Sequence, residues 1–241
     1  MLTWEDANII KTKEYISIAD EIEEVGKNTK HIMPGYQKMD RVWTQSFKIW
    51  EYPFAYIWLK NISKEYPNKK PRVLDFGGGR SPFAQYLANK GFDAWCIDND
   101  MCKYIQSSRT LINDQYPDVT YWIGDILNFN ACKFDFIISC SVLEHIIPPP
   151  QRDKVVTKLK TLLNPGGKTL HIIDFYFPAM KNKTQQHRID CFALSKLMEV
   201  NIPDNSICPG ASTYDWVKVN KSINFTQPER QSSRIAIGDD Y

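Results

Sequence analysis

The sequence predicts an α/β fold, a doubly wound, mostly parallel sheet of seven strands with helices on both faces. From residue 71 onward, short β-type runs alternate with helical segments, a pattern that indicates βαβ units around a parallel sheet. Three successive glycines, Gly77, Gly78 and Gly79, follow the first of these runs. Residues 1–70 instead show helical periodicity and many aromatic side chains, which predicts a distinct N-terminal helical segment ahead of a core at 71–241.

The N-terminal segment contains one clear amphipathic pattern. Phe54, Trp58, Ile62 and Tyr66 recur at every fourth position, which predicts a helix that begins near Pro53. The aromatic residues between positions 43 and 58 are Trp43, Phe47, Trp50, Tyr52, Phe54, Tyr56 and Trp58. Because this density exceeds what one helix face requires, we expect the segment to act as a lid over a binding pocket.

The second segment supplies the strands of the sheet. Five runs are predicted as core strands, at residues 73–76, 94–97, 121–123, 134–140 and 169–174. Two later runs, 216–219 and 234–237, are predicted to close the sheet. Gly91 and the turn Asn164-Pro165-Gly166-Gly167 are expected to end the helices that precede the second and fifth strands.

The composition limits the partners and the compartment. With 30 basic and 28 acidic side chains, the 241-residue chain has a formal charge of +2, which does not favour a nucleic-acid partner. The six cysteines include no Cys-x-x-Cys pair, so we expect reduced structural thiols. The charged N-terminal stretch lacks an apolar signal core, and no run reaches the roughly 20 apolar residues of a membrane helix. A cytoplasmic protein with no membrane partner is the resulting expectation.

The glycine turn and nearby acidic residues indicate a ligand site. Ligands of open parallel sheets bind beyond the carboxyl ends of the strands, where the strand order reverses. Successive glycines let the backbone approach a ligand closely, and Asp98 directly after the second strand can accept hydrogen bonds from ribose hydroxyls. Asp75 opens the turn, which suits a cationic amino group better than a phosphate. An ordinary glycine-rich loop and a solvated strand end are the alternatives.

Five motifs follow one another in a recognisable order. They are Val-Leu-Asp75-Phe-Gly-Gly-Gly, Ile-Asp98-Asn-Asp, Gly124-Asp125-Ile126, Phe-Asp135-Phe-Ile-Ile-Ser-Cys-Ser-Val-Leu-Glu144-His145 and Leu-Asn-Pro165-Gly-Gly167. In this order, across about residues 70–175, they resemble the class I S-adenosylmethionine-dependent methyltransferases. The resemblance implies a Rossmann-like sheet, S-adenosylmethionine as the cofactor and methyl transfer as the activity.

The resemblance also assigns the residues around the methionine part of the cofactor. The turn from Asp75 through Gly77, Gly78 and Gly79 faces this part, with Gly77 and Gly79 in closest approach. Cys140, at the end of the fourth strand, resembles the position that closes over the methionine amine.

The nucleoside end is assigned in the same way. Asp98 corresponds to the residue that holds the ribose, and Asn99 to a neighbour of the adenine. The resemblance implies that Asp125 hydrogen-bonds the adenine amino group, with the backbone of Ile126 alongside.

The candidate catalytic residues lie where the fourth and fifth strands end. His145, Asp174 and Tyr176 can line an acceptor pocket, and His145 or Asp174 can act as a general base where the acceptor is protonated. A packed histidine at a helix start is the alternative for His145. Some O-methyltransferases bind a metal through Glu-x-x-Glu-His, but Ser141 stands at the first Glu position, so we predict no metal. His171 lies early in its strand and is expected to be a buried, hydrogen-bonded core residue.

The predicted function is methyl transfer to a small-molecule acceptor, at oxygen or nitrogen. The run Trp50-Glu51-Tyr52-Pro53 resembles a phrase found in methyltransferases of sugar or polysaccharide pathways, which favours biosynthesis of such a precursor. An RNA methyltransferase and a non-catalytic S-adenosylmethionine-binding protein are the alternatives. The Asn/Asp-Pro-Pro-Tyr turn of base-amine methyltransferases is replaced here by Cys140-Ser-Val-Leu. The acceptor and the oligomeric state stay open at this point.

Overall fold

The computed structural model describes residues 2–4, 12–29, 48–66, 69–79, 81–99, 118–176 and 232–240. The strands are β1 Leu2–Trp4, β2 Arg72–Phe76, β3 Asp93–Asp98, β4 Val119–Ile123, β5 Phe134–Cys140, β6 Leu163–Tyr176 and β7 Ser232–Asp240. The α-helices are α1 Lys13–Thr29, α2 Lys48–Ile62, α3 Phe83–Asn89 and α4 Pro149–Thr161, and short 3₁₀ turns lie at Ser63–Glu65, Ile126–Asn128 and Leu143–His145. None of these helices has the length and apolar character needed to cross a membrane.

The described strands form one sheet in the order β1-β7-β6-β5-β2-β3-β4. Neighbours among β6, β5, β2, β3 and β4 are parallel, whereas β7 runs antiparallel to both β6 and β1. The chain moves outward from β2 to β4 and then returns to β5 on the other side of β2, so the strand order reverses there. The predicted α/β fold with a parallel sheet is confirmed. The predicted strand at 216–219 lies outside the described residues, so the count that included it stays a prediction.

Two hydrophobic clusters cover the opposite faces of the sheet. Along β2, Val73 belongs to the first cluster and Leu74 to the second, as the two-residue period of a strand requires. Helix α4 covers the second face through Val155, Val156 and Leu159. The other three helices cover the first face with buried residues that include Tyr15, Ile18, Ile22, Tyr52, Leu59, Phe83 and Leu87. The described part of residues 1–70 therefore shares a core with the sheet, and its role as a separate lid segment stays a prediction.

Helix α2 differs from the sequence-based expectation at its start. The helix begins at Lys48 and contains Pro53, so the predicted start near Pro53 is wrong. A proline inside a helix removes one backbone hydrogen bond. Tyr52, Ala55 and Leu59 are buried on the face that packs against the sheet, and burial of this apolar surface offsets the loss.

The turn predicted before the fifth core strand is part of β6. Leu163 pairs with Phe134 and Lys168 pairs with Phe136, so the four residues 164–167 lie opposite a single residue of β5. They form an irregularity inside β6, which continues on both sides of them. Gly166 has a φ of 75°, which favours glycine at this bend.

Asp135 ties together the end of the sheet opposite the glycine turn. Its buried carboxylate accepts hydrogen bonds from Lys69 Nζ, the backbone N–H of Arg72 and Asn164 Nδ2. Burial acts to raise the pKa of Asp135, but these donors hold it below its usual value. The aspartate of the Phe-Asp135 motif therefore stabilises the fold at the amino end of β5.

His171 is buried in β6, as predicted. Its Nδ1 lies 2.7 Å from Ser139 Oγ, and burial lowers its pKa from 6.5 to about 3. The folded chain therefore keeps this ring neutral at pH values where the unfolded chain would protonate it.

This difference predicts a loss of stability in acid. Between about pH 6.5 and pH 3 the unfolded state binds a proton at His171 that the folded state does not, so stability falls as the pH falls. The contribution lost by pH 5 is about 2 kcal/mol. Urea unfolding at pH 7 and pH 5 should show a steeper decline for the wild-type chain than for His171→Gln. His145→Gln, at an exposed position, is the control. Parallel declines for wild type and His171→Gln would refute this account.

Candidate active site

The predicted site residues converge on one edge of the sheet. The strand order reverses between β2 and β5, the position where open parallel sheets bind ligands. Gly77 follows β2, Asp98 ends β3, Asp125 follows β4 and Cys140 ends β5. Because all four strands are parallel, these positions lie along the same carboxyl edge.

The glycine turn is tied to the neighbouring strand. The backbone N–H of Gly77 donates to the carbonyl of Ile97 in β3 over 2.8 Å. Gly77 and Gly79 have φ values of 71° and 55°, in the left-handed region that favours glycine. The turn therefore passes directly beside the end of β3, one residue from Asp98.

Side chains are sterically excluded from the turn. A Cβ at Gly78 would overlap Asp75 Oδ2 and come within 2.9 Å of Cys96 Sγ. A Cβ at Gly77 would lie 2.5 Å from Val142 Cγ1. The turn therefore packs against Val142, Asp75 and Cys96 at these two positions, where only glycine fits.

Asp75 lies beneath this turn and is buried. Its Oδ2 accepts a hydrogen bond from Ser81 Oγ over 3.4 Å, and Ser81 Oγ in turn accepts from the backbone N–H of Phe83 over 3.2 Å. The hydroxyl of Ser81 thereby joins the carboxylate at the end of β2 to the first turn of α3.

Tyr52 reaches the same place from helix α2. Its ring stacks on Phe83 with centroids 4.8 Å apart. Burial, reinforced by the negative charge of Asp75 and by Cys140, raises the pKa of Tyr52 well above its usual value, so the phenol stays protonated.

Glu51, the residue before Tyr52, is fully buried, and its Oε1 accepts a hydrogen bond from Ser141 Oγ over 2.7 Å. Glu51 and Tyr52 were not among the site residues predicted from the sequence. A signal was present, because Glu51 is the single charged residue in the run 50–59.

The nucleoside half of the predicted site begins at Asp98. This residue is half-buried at the end of β3, and its carbonyl accepts the backbone N–H of Gly124 over 3.0 Å. Asn99 follows and is exposed. The structure thus brings the ends of β3 and β4 together beside the glycine turn.

Asp125 is exposed and stands just after β4. Its Oδ1 accepts the backbone N–H of Leu127 over 3.0 Å, which caps the short 3₁₀ turn. The side chain of Ile126 is buried in the second hydrophobic cluster, so only its backbone can face a ligand.

The chain turns sharply after β5. Cys140 is a buried, reduced thiol, and Ser141 adopts a φ of 56° while its N–H donates to the carbonyl of Ile172 over 2.8 Å. The 3₁₀ turn that follows ends at His145, which is exposed. This exposure does not support the alternative of a packed histidine, and the role of His145 stays a prediction.

Asp174 and Tyr176 lie at the carboxyl end of β6. Their backbones pair with Arg234 and Ser232 of β7, and Ile172 of the same strand pairs with Cys140. Both residues therefore belong to the edge that also carries the turn after β5. Their catalytic roles, like that of His145, stay predictions. In the part of the chain that the structure describes, no group of three or more histidine, cysteine or acidic residues is arranged to hold a metal.

Comparison with known sequences gives a family match. The sequence model of a family described as "Methyltransferase domain" matches residues 47–195. This span includes helix α2, the glycine turn and the parallel strands up to β6. No curated protein sequence matches the chain.

Solved structures of similar fold include three methyltransferases. Phosphoethanolamine N-methyltransferase 2 of Haemonchus contortus, in complex with S-adenosyl-L-methionine, has a TM-score of 0.51 at 15% identity, over 76% of this chain and 52% of that chain. An S-adenosylmethionine-dependent methyltransferase from Clostridium acetobutylicum has a TM-score of 0.44 at 21% identity, over 51% and 50%. The amino pentose methyltransferase CalS10 from Micromonospora echinaspora has a TM-score of 0.43 at 19% identity, over 53% and 52%. The chain spans about half the length of each of these proteins.

Proposed function

Since the chain belongs to the methyltransferase-domain family, we propose that it transfers a methyl group from S-adenosylmethionine to a small-molecule acceptor. The family match confirms the resemblance that the five motifs predicted. The observation that carries the proposal is the position of the glycine turn after β2, hydrogen-bonded through Gly77 to the carbonyl of Ile97 and thus adjacent to Asp98.

The residues at this edge fit the proposed cofactor. Glycine at positions 77 and 78 lets the turn pack closely on Val142 and Asp75, and the turn stands at the carboxyl edge where we propose that the methionine part lies. Asp98 provides a carboxylate for the ribose hydroxyls. The buried carboxylate of Asp75 beneath the turn disfavours a phosphate and suits a cofactor with a cationic amine. Asn99, Asp125, the Ile126 backbone and Cys140 complete the proposed cofactor set.

S-adenosylmethionine, when bound, supplies a methyl group on a cationic sulfonium. The protein then has two tasks, to align the acceptor and to exclude water. His145 is exposed at the end of its turn, so it can exchange a proton with solvent as a base must. Asp174 and Tyr176 are proposed to line the acceptor pocket from β6.

The proposed acceptor is a small metabolite methylated at oxygen or nitrogen, with a sugar or polysaccharide precursor favoured. The near-balanced charge of +2 and the run Trp50-Glu51-Tyr52-Pro53 support this choice. The cytoplasmic location expected from the sequence is part of the same proposal.

Transfer of a labelled methyl group tests the function. The chain is incubated with tritiated S-adenosylmethionine and either a metabolite extract or bulk RNA. Label in the small-molecule fraction is expected. Label in RNA alone would contradict the small-molecule acceptor. Binding of S-adenosylhomocysteine without label in either fraction would indicate a non-catalytic binding protein.

A substitution of Asp98 tests the cofactor placement. Asp98→Ala is expected to weaken S-adenosylhomocysteine binding by roughly 1.5–3 kcal/mol, because hydrogen bonds to a charged acceptor are lost. Isothermal titration calorimetry measures this change. Asp153→Ala, at an exposed position on α4, is the matched control and should bind like the wild type. Equal affinities for all three proteins would mean that the ribose is held elsewhere.

A further inference from the structure

Among the described residues, two carboxylate–hydroxyl pairs join the N-terminal helices to the rest of the chain. On α1, Glu21 Oε2 accepts a hydrogen bond from Tyr86 Oη of α3 over 3.0 Å. On α2, Glu51 Oε1 accepts one from Ser141 Oγ over 2.7 Å. The first pair is partly exposed and involves Lys90 as well, whereas Glu51 is fully buried and its partner directly follows β5 at the candidate active site.

Ser141 has an unusual backbone conformation. Its φ of 56° lies in the left-handed region, which is unfavourable for a residue with a Cβ. Non-glycine residues persist in such conformations when their surroundings hold them there, and they cluster at functional sites. The free energy of a side-chain hydrogen bond is comparable to the cost of one left-handed residue, so the contact between Ser141 and Glu51 is strong enough to help hold this conformation.

The segment around Ser141 carries the groups that border the proposed cofactor site. Cys140 precedes it, and Val142 follows it at a position where its Cγ1 would lie 2.5 Å from a Cβ at Gly77. The turn then continues to His145. The backbone conformation at Ser141 therefore sets where Val142 meets the glycine turn and where His145 stands.

We propose that Glu51 is a positioning residue for methyl transfer, which acts by holding Ser141 in its left-handed conformation. We call this hydrogen bond the Glu51–Ser141 latch. It rests on the proposed function, because the segment it fixes borders the proposed cofactor site. Through this hydrogen bond, helix α2 helps to determine the shape of the site, in addition to covering one face of the sheet.

The latch is tested with variants of both partners. Ser141→Ala keeps the free-energy cost of a left-handed φ at a residue with a Cβ, but it loses the hydrogen bond to Glu51. S-adenosylhomocysteine affinity is therefore expected to fall by about tenfold. Ser141→Gly also loses the hydrogen bond, but glycine adopts a left-handed φ without the free-energy cost. Its affinity for S-adenosylhomocysteine should therefore be closer to that of the wild type than the affinity of Ser141→Ala is. Glu51→Gln retains an oxygen acceptor for the Ser141 hydroxyl and is expected to weaken binding by only about two- to fivefold. The proposal requires that Glu51 act on the site through Ser141, so Glu51→Gln combined with Ser141→Ala should bind S-adenosylhomocysteine no more weakly than Ser141→Ala alone.

The Glu21–Tyr86 pair supplies the matched control. Glu21→Gln removes the charge from a carboxylate–hydroxyl contact of the same kind away from the site. It is expected to lower the melting temperature and to leave S-adenosylhomocysteine affinity unchanged. Calorimetric titration and thermal unfolding are measured for every variant.

The outcomes distinguish failure of the latch proposal from failure of the proposed function. If the Ser141 and Glu51 variants lose thermal stability but bind S-adenosylhomocysteine like the wild type, the contact is merely structural and the latch is refuted. Additive losses in the double variant, or no recovery in Ser141→Gly, would also overturn it. Failure of the wild-type chain to bind S-adenosylhomocysteine would instead overturn the proposed function.

Discussion

Turnover is expected to fall by roughly 10²- to 10⁴-fold in the variant that removes the general base, which is either His145→Ala or Asp174→Asn. The reason is that an acceptor ammonium has no lone pair until it loses a proton, and an acceptor hydroxyl becomes a stronger nucleophile as its proton is removed. Neither side chain is assigned to the cofactor, so S-adenosylhomocysteine affinity should stay close to that of the wild type. Initial rates with tritiated S-adenosylmethionine, together with calorimetric affinities, measure the two quantities separately.

Exposed Asp153 on α4 provides the control, since Asp153→Asn makes the same chemical change away from the site. Tyr176→Phe removes the third candidate group and identifies any contribution of the phenol. If His145→Ala and Asp174→Asn both keep full turnover, the acceptor requires no base from either position, and the catalytic assignment fails.

Gly77→Ala is expected to destabilise the fold and to weaken cofactor binding together. An alanine at a φ of 71° costs about 1–2 kcal/mol, and its Cβ, 2.5 Å from Val142 Cγ1, forces a displacement that costs about 1–3 kcal/mol more. The free energy of unfolding should therefore fall by roughly 2–5 kcal/mol in urea titrations. Because the displaced atoms border the proposed site, S-adenosylhomocysteine affinity should fall as well.

Gly91→Ala separates the free-energy cost of a left-handed alanine from the cost of the steric clash. Gly91 has a φ of 91°, also left-handed, but a Cβ there would meet nothing within 4 Å. This variant should lose about 1–2 kcal/mol of stability and keep its affinity for S-adenosylhomocysteine. Equal losses of affinity in Gly77→Ala and Gly91→Ala would show that the glycine turn has no special relation to the ligand.

The parallel core could be predicted from the sequence because its signals are local. Each central strand is a short apolar run, and the alternation of Val73 and Leu74 between the two faces follows from the strand period alone. The glycine turn, Asp98 and Asp125 each come directly after a strand, so parallel pairing was sufficient to bring them to one edge.

Features that depend on tertiary contacts could not be predicted in this way. Pro53 lies inside α2 because packing of the helix on the sheet outweighs the local preference of proline for a helix start. The contact between Glu51 and Ser141 joins side chains 90 positions apart and leaves no periodic trace. The lone charge of Glu51 in an aromatic run was the sole hint of it.

The central claim is that S-adenosylmethionine lies on the turn after β2, with its ribose held at the end of β3. A crystal structure of the chain with S-adenosylhomocysteine tests this most directly. The account predicts ligand density along Gly77 and Gly79, with ribose hydroxyls about 2.5–3.0 Å from the Asp98 carboxylate. Density for the ligand away from the carboxyl ends of β2 and β3, or packed side chains where the ligand should lie, would contradict it.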